Sequence, residues 1–126
     1  MRKIFILLFL TAGIMFTSCG EKHIAKNTIK EFLKASIAND TDGEQEDYDI
    51  KSYGDIDSTK YVTEDLINAM HANADKDKNF KSTILYWKPT EGEQLKYINV
   101  DMTVNDNDTT YTFYLTNDML KVVAFK

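Results

Sequence analysis

The chain has 126 residues, with 20 acidic against 15 basic side chains, a single cysteine and a single proline. That length supports one hydrophobic core rather than two. The net charge of −5 argues against nucleic acid as a partner, because phosphate recognition needs cationic contacts. One cysteine excludes an intramolecular disulfide, so packing alone must hold the fold.

The chain opens on Arg2 and Lys3, followed by an apolar run from Ile4 to Phe16 broken only by Thr11 and Gly13. This is the length of a signal-peptide core, short of the about 20 residues of a membrane span. Phe16-Thr17-Ser18-Cys19 comes next, and the only cysteine sits where cleavage is expected. These four residues resemble a bacterial lipobox, an aliphatic residue and two small residues before cysteine. Phe16 departs from the usual leucine but keeps an apolar contact at that position. The resemblance implies a diacylglycerol on the Cys19 sulfur, cleavage before Cys19 and acylation of the new N-terminus. The lipids of the membrane would then be the first partner. Each buried acyl methylene adds about 0.8 kcal/mol, and two or more chains anchor stably where one does not. The expected organisation is a leader over 1–18, a lipidated tether over 19–22 and a single α+β domain over 23–126. Removal of the leader takes Arg2 and Lys3, leaving 13 of the 15 basic residues against all 20 acidic ones, a net charge of −7. So acidic a body gains nothing overall from an anionic surface. The expected location is the bacterial cell envelope, with outer-membrane attachment because Gly20 rather than aspartate follows the cysteine.

A first helix is predicted over His23 to Asn39, with Ile24, Thr28, Ile29, Phe32, Leu33 and Ser36 forming one stripe. Asp40 to Asp57 reads as a long, solvated acidic connection punctuated by Gly43 and Gly54. Its anchors into the core are Tyr48, Ile50, Tyr53 and Ile56. Thr63 caps a second helix whose first turn carries Glu64 and Asp65, suited to the positive end of the helix dipole. Leu66, Ile67, Met70 and Ala74 are its expected buried face, and the charged run Asp75-Lys76-Asp77-Lys78 ends it. Beyond Lys81 the period changes to two. Ser82–Lys88, Leu95–Val104, Thr109–Thr116 and Met119–Phe125 read as four strands. The connections at Pro89–Glu93, Asn105–Asp108 and Asn117-Asp118 are short enough to make the sheet antiparallel. One sheet face should be apolar and take the helices, and the other should be rich in tyrosine and threonine. The last strand is apolar on both faces, which calls for cover on both sides or a partner.

Three constellations could carry function. His71 lies near the buried face of the second helix, where a carboxylate could orient it as a general base. Asp101 is the available carboxylate, although it falls on the polar face of its strand. A single histidine is weak evidence, and a half-buried structural histidine is the simpler reading. Asp40-Thr41-Asp42-Gly43 has oxygen ligands at alternate positions, but as a calcium loop it would begin on Ala38, which offers no ligand, and end on Asp49 in place of the usual glutamate. No cysteine–histidine cluster offers zinc, and no phosphate loop or nucleophile motif occurs. Neither metal nor cofactor is therefore expected. Trp87, Tyr97 and Tyr114 are read onto one partly exposed sheet face. Such aromatics can bind protein or a small ligand through large contact area at low entropic cost, although strands favour aromatics in any case.

The order of helix, acidic loop, helix and antiparallel strands is similar to the cystatin-like and NTF2-like α+β architectures, in which a curved sheet wraps around helices. With the lipobox ahead of it, the chain resembles small envelope lipoproteins of the Bacteroidetes. That resemblance supplies no catalytic residues. The leading expectation is a lipid-anchored, non-enzymatic module that binds a protein or small ligand. The rivals are an enzyme using His71 as base in a concave pocket, and a structural module that forms a homodimer through its sheet.

Overall fold

The computed structural model describes residues 20–37, 48–59, 62–81, 83–104 and 106–126. The stretch read as a leader, Cys19 and the Asp40-Thr41-Asp42-Gly43 stretch lie outside them. Two helices and an open antiparallel sheet of five strands make an α+β fold. Helix α1 covers 20–36, so Gly20 to Lys22 belong to its first turns and the helix begins earlier than the periodicity places it. Ala25, Ile29, Phe32, Leu33 and Ser36 are its buried stripe, whereas Ile24 lies at the margin.

One strand falls inside the acidic stretch that reads as a loop, and a second begins at its last residue, Asp57. β1 (Tyr48–Tyr53) and β2 (Asp57–Thr59) both pair with the same strand, β3 (Leu95–Val104). β1 takes the Val100–Val104 half and β2 the Leu95–Tyr97 end. The expected anchors Tyr48, Ile50, Tyr53 and Ile56 do pack on the core, and the acids between them point outward as alternation requires. Gly54 lets the chain pass from β1 to β2. Its amide donates to the Asn99 carbonyl at 2.7 Å, and a β-carbon there would lie 3.2 Å from that oxygen.

Helix α2 (Glu64–Asp75) starts on the expected cap, the Thr63 hydroxyl accepting from the Leu66 amide at 3.3 Å. Ile67 and Ala74 are buried, but Leu66 is 58% exposed, against expectation. The strand expected over Ser82–Lys88 is not formed. Described residues 83–90 run without regular pairing, tied to the sheet by one backbone bond from the Trp87 amide to the Val122 carbonyl at 2.9 Å. β3 continues into β4 (Asn107–Leu115) through a tight hairpin closed by the Val104–Asn107 pair, with Asp106 in the left-handed region at φ 66°. β5 (Val122–Phe125) then pairs with β4, with a bulge beside Tyr114 and Leu115.

The sheet separates two apolar clusters. On one face Ile98, Val100, Met102, Val104, Tyr111, Phe113, Leu115, Val122 and Phe125 pack against α1. Phe113 and Phe125 are almost completely buried, with ring centroids 5.6 Å apart, and burial of such a side chain stabilises by about 1.5–3 kcal/mol. On the other side, at the β5 end, Leu95, Val123 and Ala124 meet Ile67 of α2, with Val62, Met70 and Tyr114 around them. The doubly apolar last strand is thus covered on both faces within one chain. The turn before it is held by Thr116 and Asp118, hydroxyl to carboxylate at 2.6 Å. That turn presents the Met119 carbonyl to the Thr28 hydroxyl of α1 at 2.7 Å. Met119 itself has φ 64°, a conformation costing about 1–2 kcal/mol for such a residue, offset here by burial of its side chain. Among the described residues no helix is long and apolar enough to cross a membrane.

Candidate functional site

A cleft of about 450 Å³ lies between one face of α2 and the segment 83–91. Glu64, Ile67, Asn68 and His71 recur at helical spacing and line its α2 wall. Tyr86, Trp87, Lys88, Pro89 and Glu91 line the other. Gly92, at φ 81°, supplies the left-handed residue that reverses the chain beyond Pro89 towards β3.

His71 is the structural centre of this cleft. Its Nε2 lies 2.8 Å from the Val123 carbonyl. A carbonyl only accepts, so Nε2 carries the proton, and in the neutral ring Nδ1 is the unprotonated nitrogen. The imidazole also stacks on Tyr86, with centroids 3.8 Å apart and planes 14° from parallel. Tyr86 continues inward to Phe32 at 5.9 Å and Phe125 at 6.4 Å. Burial, followed by the nearby Asp75 charge, pushes the Tyr86 phenol up to about 12. The Tyr86 hydroxyl is buried and has no hydrogen-bond partner among the described residues.

The candidate His71–Asp101 pair, which the strand register already disfavoured, is not formed. Asp101 accepts from Thr110 Oγ1 at 2.6 Å and Ser52 Oγ at 3.2 Å, both exposed cross-strand contacts on the sheet surface. The register explains this: Asp101 stands opposite Thr110 and Ser52, so these neighbours saturate it locally.

Trp87, Tyr97 and Tyr114 do not share a surface. Tyr97 and Tyr114 are directly opposed on β3 and β4, with rings 5.9 Å apart, and Tyr114 is tucked beside Met70 under α2. Lys126 lies 5.8 Å from the Tyr114 ring. Trp87 lies off the sheet, 52% exposed, beside His71 at the cleft, with the Lys121 ammonium 5.5 Å from its ring. The structure therefore joins Trp87 to His71 rather than to the tyrosines. Glu64, Asn68, Lys88 and Glu91 are additions. Glu64, Asn68 and His71 have a helical spacing that sequence could reveal, but nothing in the pattern brings 83–91 across from them. Among the described residues no cluster of three histidine, cysteine or acidic side chains is placed to hold a metal.

No protein-family model matches this chain, and no curated protein or solved structure is significantly similar to it.

Proposed function

We propose that the protein is a lipid-anchored envelope lipoprotein, acylated at Cys19, that acts as a non-enzymatic binding module through the cleft between α2 and residues 83–91. The observation that carries the binding reading is the half-exposed indole of Trp87 beside a cleft whose walls offer Asn68, Glu64, Lys88 and Glu91. An apolar plate with a few convergent polar groups is the usual chemistry of a small-ligand or peptide site. Binding is preferred to catalysis because Asp101, the carboxylate considered as partner for His71, is engaged by Thr110 and Ser52 on the sheet surface instead. Anchoring is supported by Arg2, Lys3, the apolar run and the Phe16-Thr17-Ser18-Cys19 sequence. A cystatin-like or NTF2-like relationship accords with helices packed on an antiparallel sheet, and it remains part of this proposal.

The test titrates Trp87 emission of the full chain with a panel of short envelope peptides and amino sugars. A saturable change with at least one ligand is expected, weakened severalfold by Asn68→Ala and Glu64→Ala, with the ligand recovered unaltered. Turnover of the ligand would reverse the non-enzymatic assignment. Saturable binding that these two substitutions leave intact would move the site away from the cleft.

A further inference from the structure

Leu85, Trp87 and Leu120 are 93%, 52% and 56% exposed. All three border one shallow groove, together with Thr28, Glu31 and Ala35 of α1. Ile24, 37% exposed, precedes Thr28 by one helical turn and extends the same stripe towards the start of α1. Of the large apolar side chains exposed among the described residues, only Leu66 lies elsewhere, on the far side of α2 beside Met70 and Asn73.

The charges around this groove run against the acidic whole. Lys121 lines the groove and overlies Trp87, and Lys88 follows Trp87 in the chain. Of the acids at the border, Glu31 is paired with Lys34 at 3.8 Å. Asp118 is engaged by the Thr116 hydroxyl and the Leu120 amide. Lys121 thus sits on the apolar patch, with Lys88 beside it at the edge of the cleft that also carries Glu64 and Glu91.

We propose that this exposed apolar patch is a membrane-docking face, with Leu85, Trp87 and Leu120 resting in the headgroup–acyl boundary and Lys121 and Lys88 at the anionic headgroups. The proposal rests on the anchoring reading. Cys19 immediately precedes the first described helical residue, and Thr28 follows eight residues later, about 12 Å along the helix. A lipid on Cys19 therefore holds the start of α1 at the bilayer, and the Ile24–Thr28 side leads directly to the patch. Indole and leucine at the interface with lysine beside them is the composition that partitions there.

Trp87 is the chain's only tryptophan and borders both the cleft and this groove, so without added ligand its emission reports this face. The full chain, produced with its leader, is reconstituted in phosphatidylethanolamine vesicles containing a minor fraction of phosphatidylglycerol. Acyl chains brominated near the headgroup serve as quencher, and the mass of the mature chain reports acylation. Strong quenching of Trp87 is expected. Leu85→Asp with Leu120→Asp should lose most of it, while Leu66→Asp, an equally solvated site off the face, should keep it. Lys88→Glu with Lys121→Glu should lose it in proportion to the phosphatidylglycerol content. Circular dichroism identifies any variant that has unfolded, and the lysine pair then decides. An acylated, vesicle-bound chain with unquenched Trp87 overturns the face and leaves the anchor standing. An unacylated chain overturns the anchor, and the face is then decided by adding that chain to the same vesicles, where absence of quenching overturns it. Protection of Trp87 from iodide without lipid quenching, in a dimer by light scattering or a complex with another protein, assigns the patch to that occupant and overturns the membrane proposal.

Discussion

Replacing His71 separates a structural imidazole from one held for chemistry. The ring does two things in the fold. It donates to the carbonyl of Val123, a completely buried residue, and it stacks on Tyr86. Loss of the donor leaves a buried acceptor unpaired, which costs about 1–3 kcal/mol. Loss of the stack removes a further about 0.5–1.5 kcal/mol beyond the area buried. Water entering from the cleft relieves part of the first cost, so His71→Ala should destabilise by about 2–3 kcal/mol. His71→Phe keeps a stacked ring and loses only the donor, so about 1–2 kcal/mol is expected. For a domain of this size the alanine variant should melt on the order of 10 °C lower. Urea unfolding followed by far-ultraviolet circular dichroism measures both changes, with an unchanged slope on denaturant showing that only stability has moved. Wild-type midpoints for both variants would refute the structural role and restore the case for His71 as a base.

Two buried tyrosines should respond oppositely to loss of the hydroxyl. Tyr111 donates to Asp77 at 2.7 Å and accepts from Asn79 at 3.3 Å, so Tyr111→Phe should cost about 1.5–3 kcal/mol in urea unfolding. Tyr86→Phe removes a buried hydroxyl without a partner among the described residues and should be neutral or stabilising by up to about 1 kcal/mol. In alkaline titration followed by tyrosinate absorbance, Tyr86 and Tyr111, both pushed up to about 12 chiefly by burial, should ionise last. Their folded values exceed the ordinary value of 10.0, so the stability they confer is present below pH 10 and lost as pH rises towards 12. Melting temperatures across that window check the sign. Gly54→Ala sets a β-carbon 3.2 Å from the Asn99 oxygen and should destabilise by about 1 kcal/mol, measured by thermal unfolding. The Thr116 hydroxyl, then the Leu120 amide, holds the Asp118 carboxyl below its ordinary value of 3.8. Its contribution is therefore present above that pH and is lost as pH falls through the lower folded value. Asp118→Asn should flatten this acid limb.

Where burial is one-sided and continuous, the pattern was readable. β3 falls on the expected Leu95–Val104, the Thr63 cap lies where its chemistry puts it, and Tyr48, Ile50, Tyr53 and Ile56 do reach the core. The same signal misled at 82–88. Ile84 and Tyr86 pack inward while Leu85 and Trp87 face out, but alternation reports which side is covered, not whether the backbone is paired. The converse error occurred at β1, where Asp49 and its acidic neighbours in sequence conceal an edge strand whose solvated face carries the charge. The cleft was half legible. Its helical wall could be read from spacing, whereas the facing wall depends on where an irregular segment settles against β5. Trp87 was placed with Tyr97 and Tyr114 because a regular strand was assumed.

The division of labour within the sheet also orders its assembly. The β3–β4 hairpin needs only a tight local reversal, so it can form on the timescale of microseconds. Helix α1 has no such neighbour. The core around Ile29, Phe32 and Leu33 is built largely from β3, β4 and β5, with Tyr86 against Phe32, all distant in sequence, so its docking awaits closure of a long loop. The contact between Thr28 and the Met119 turn is consequently a late event. Substitutions there should quicken unfolding far more than they slow folding.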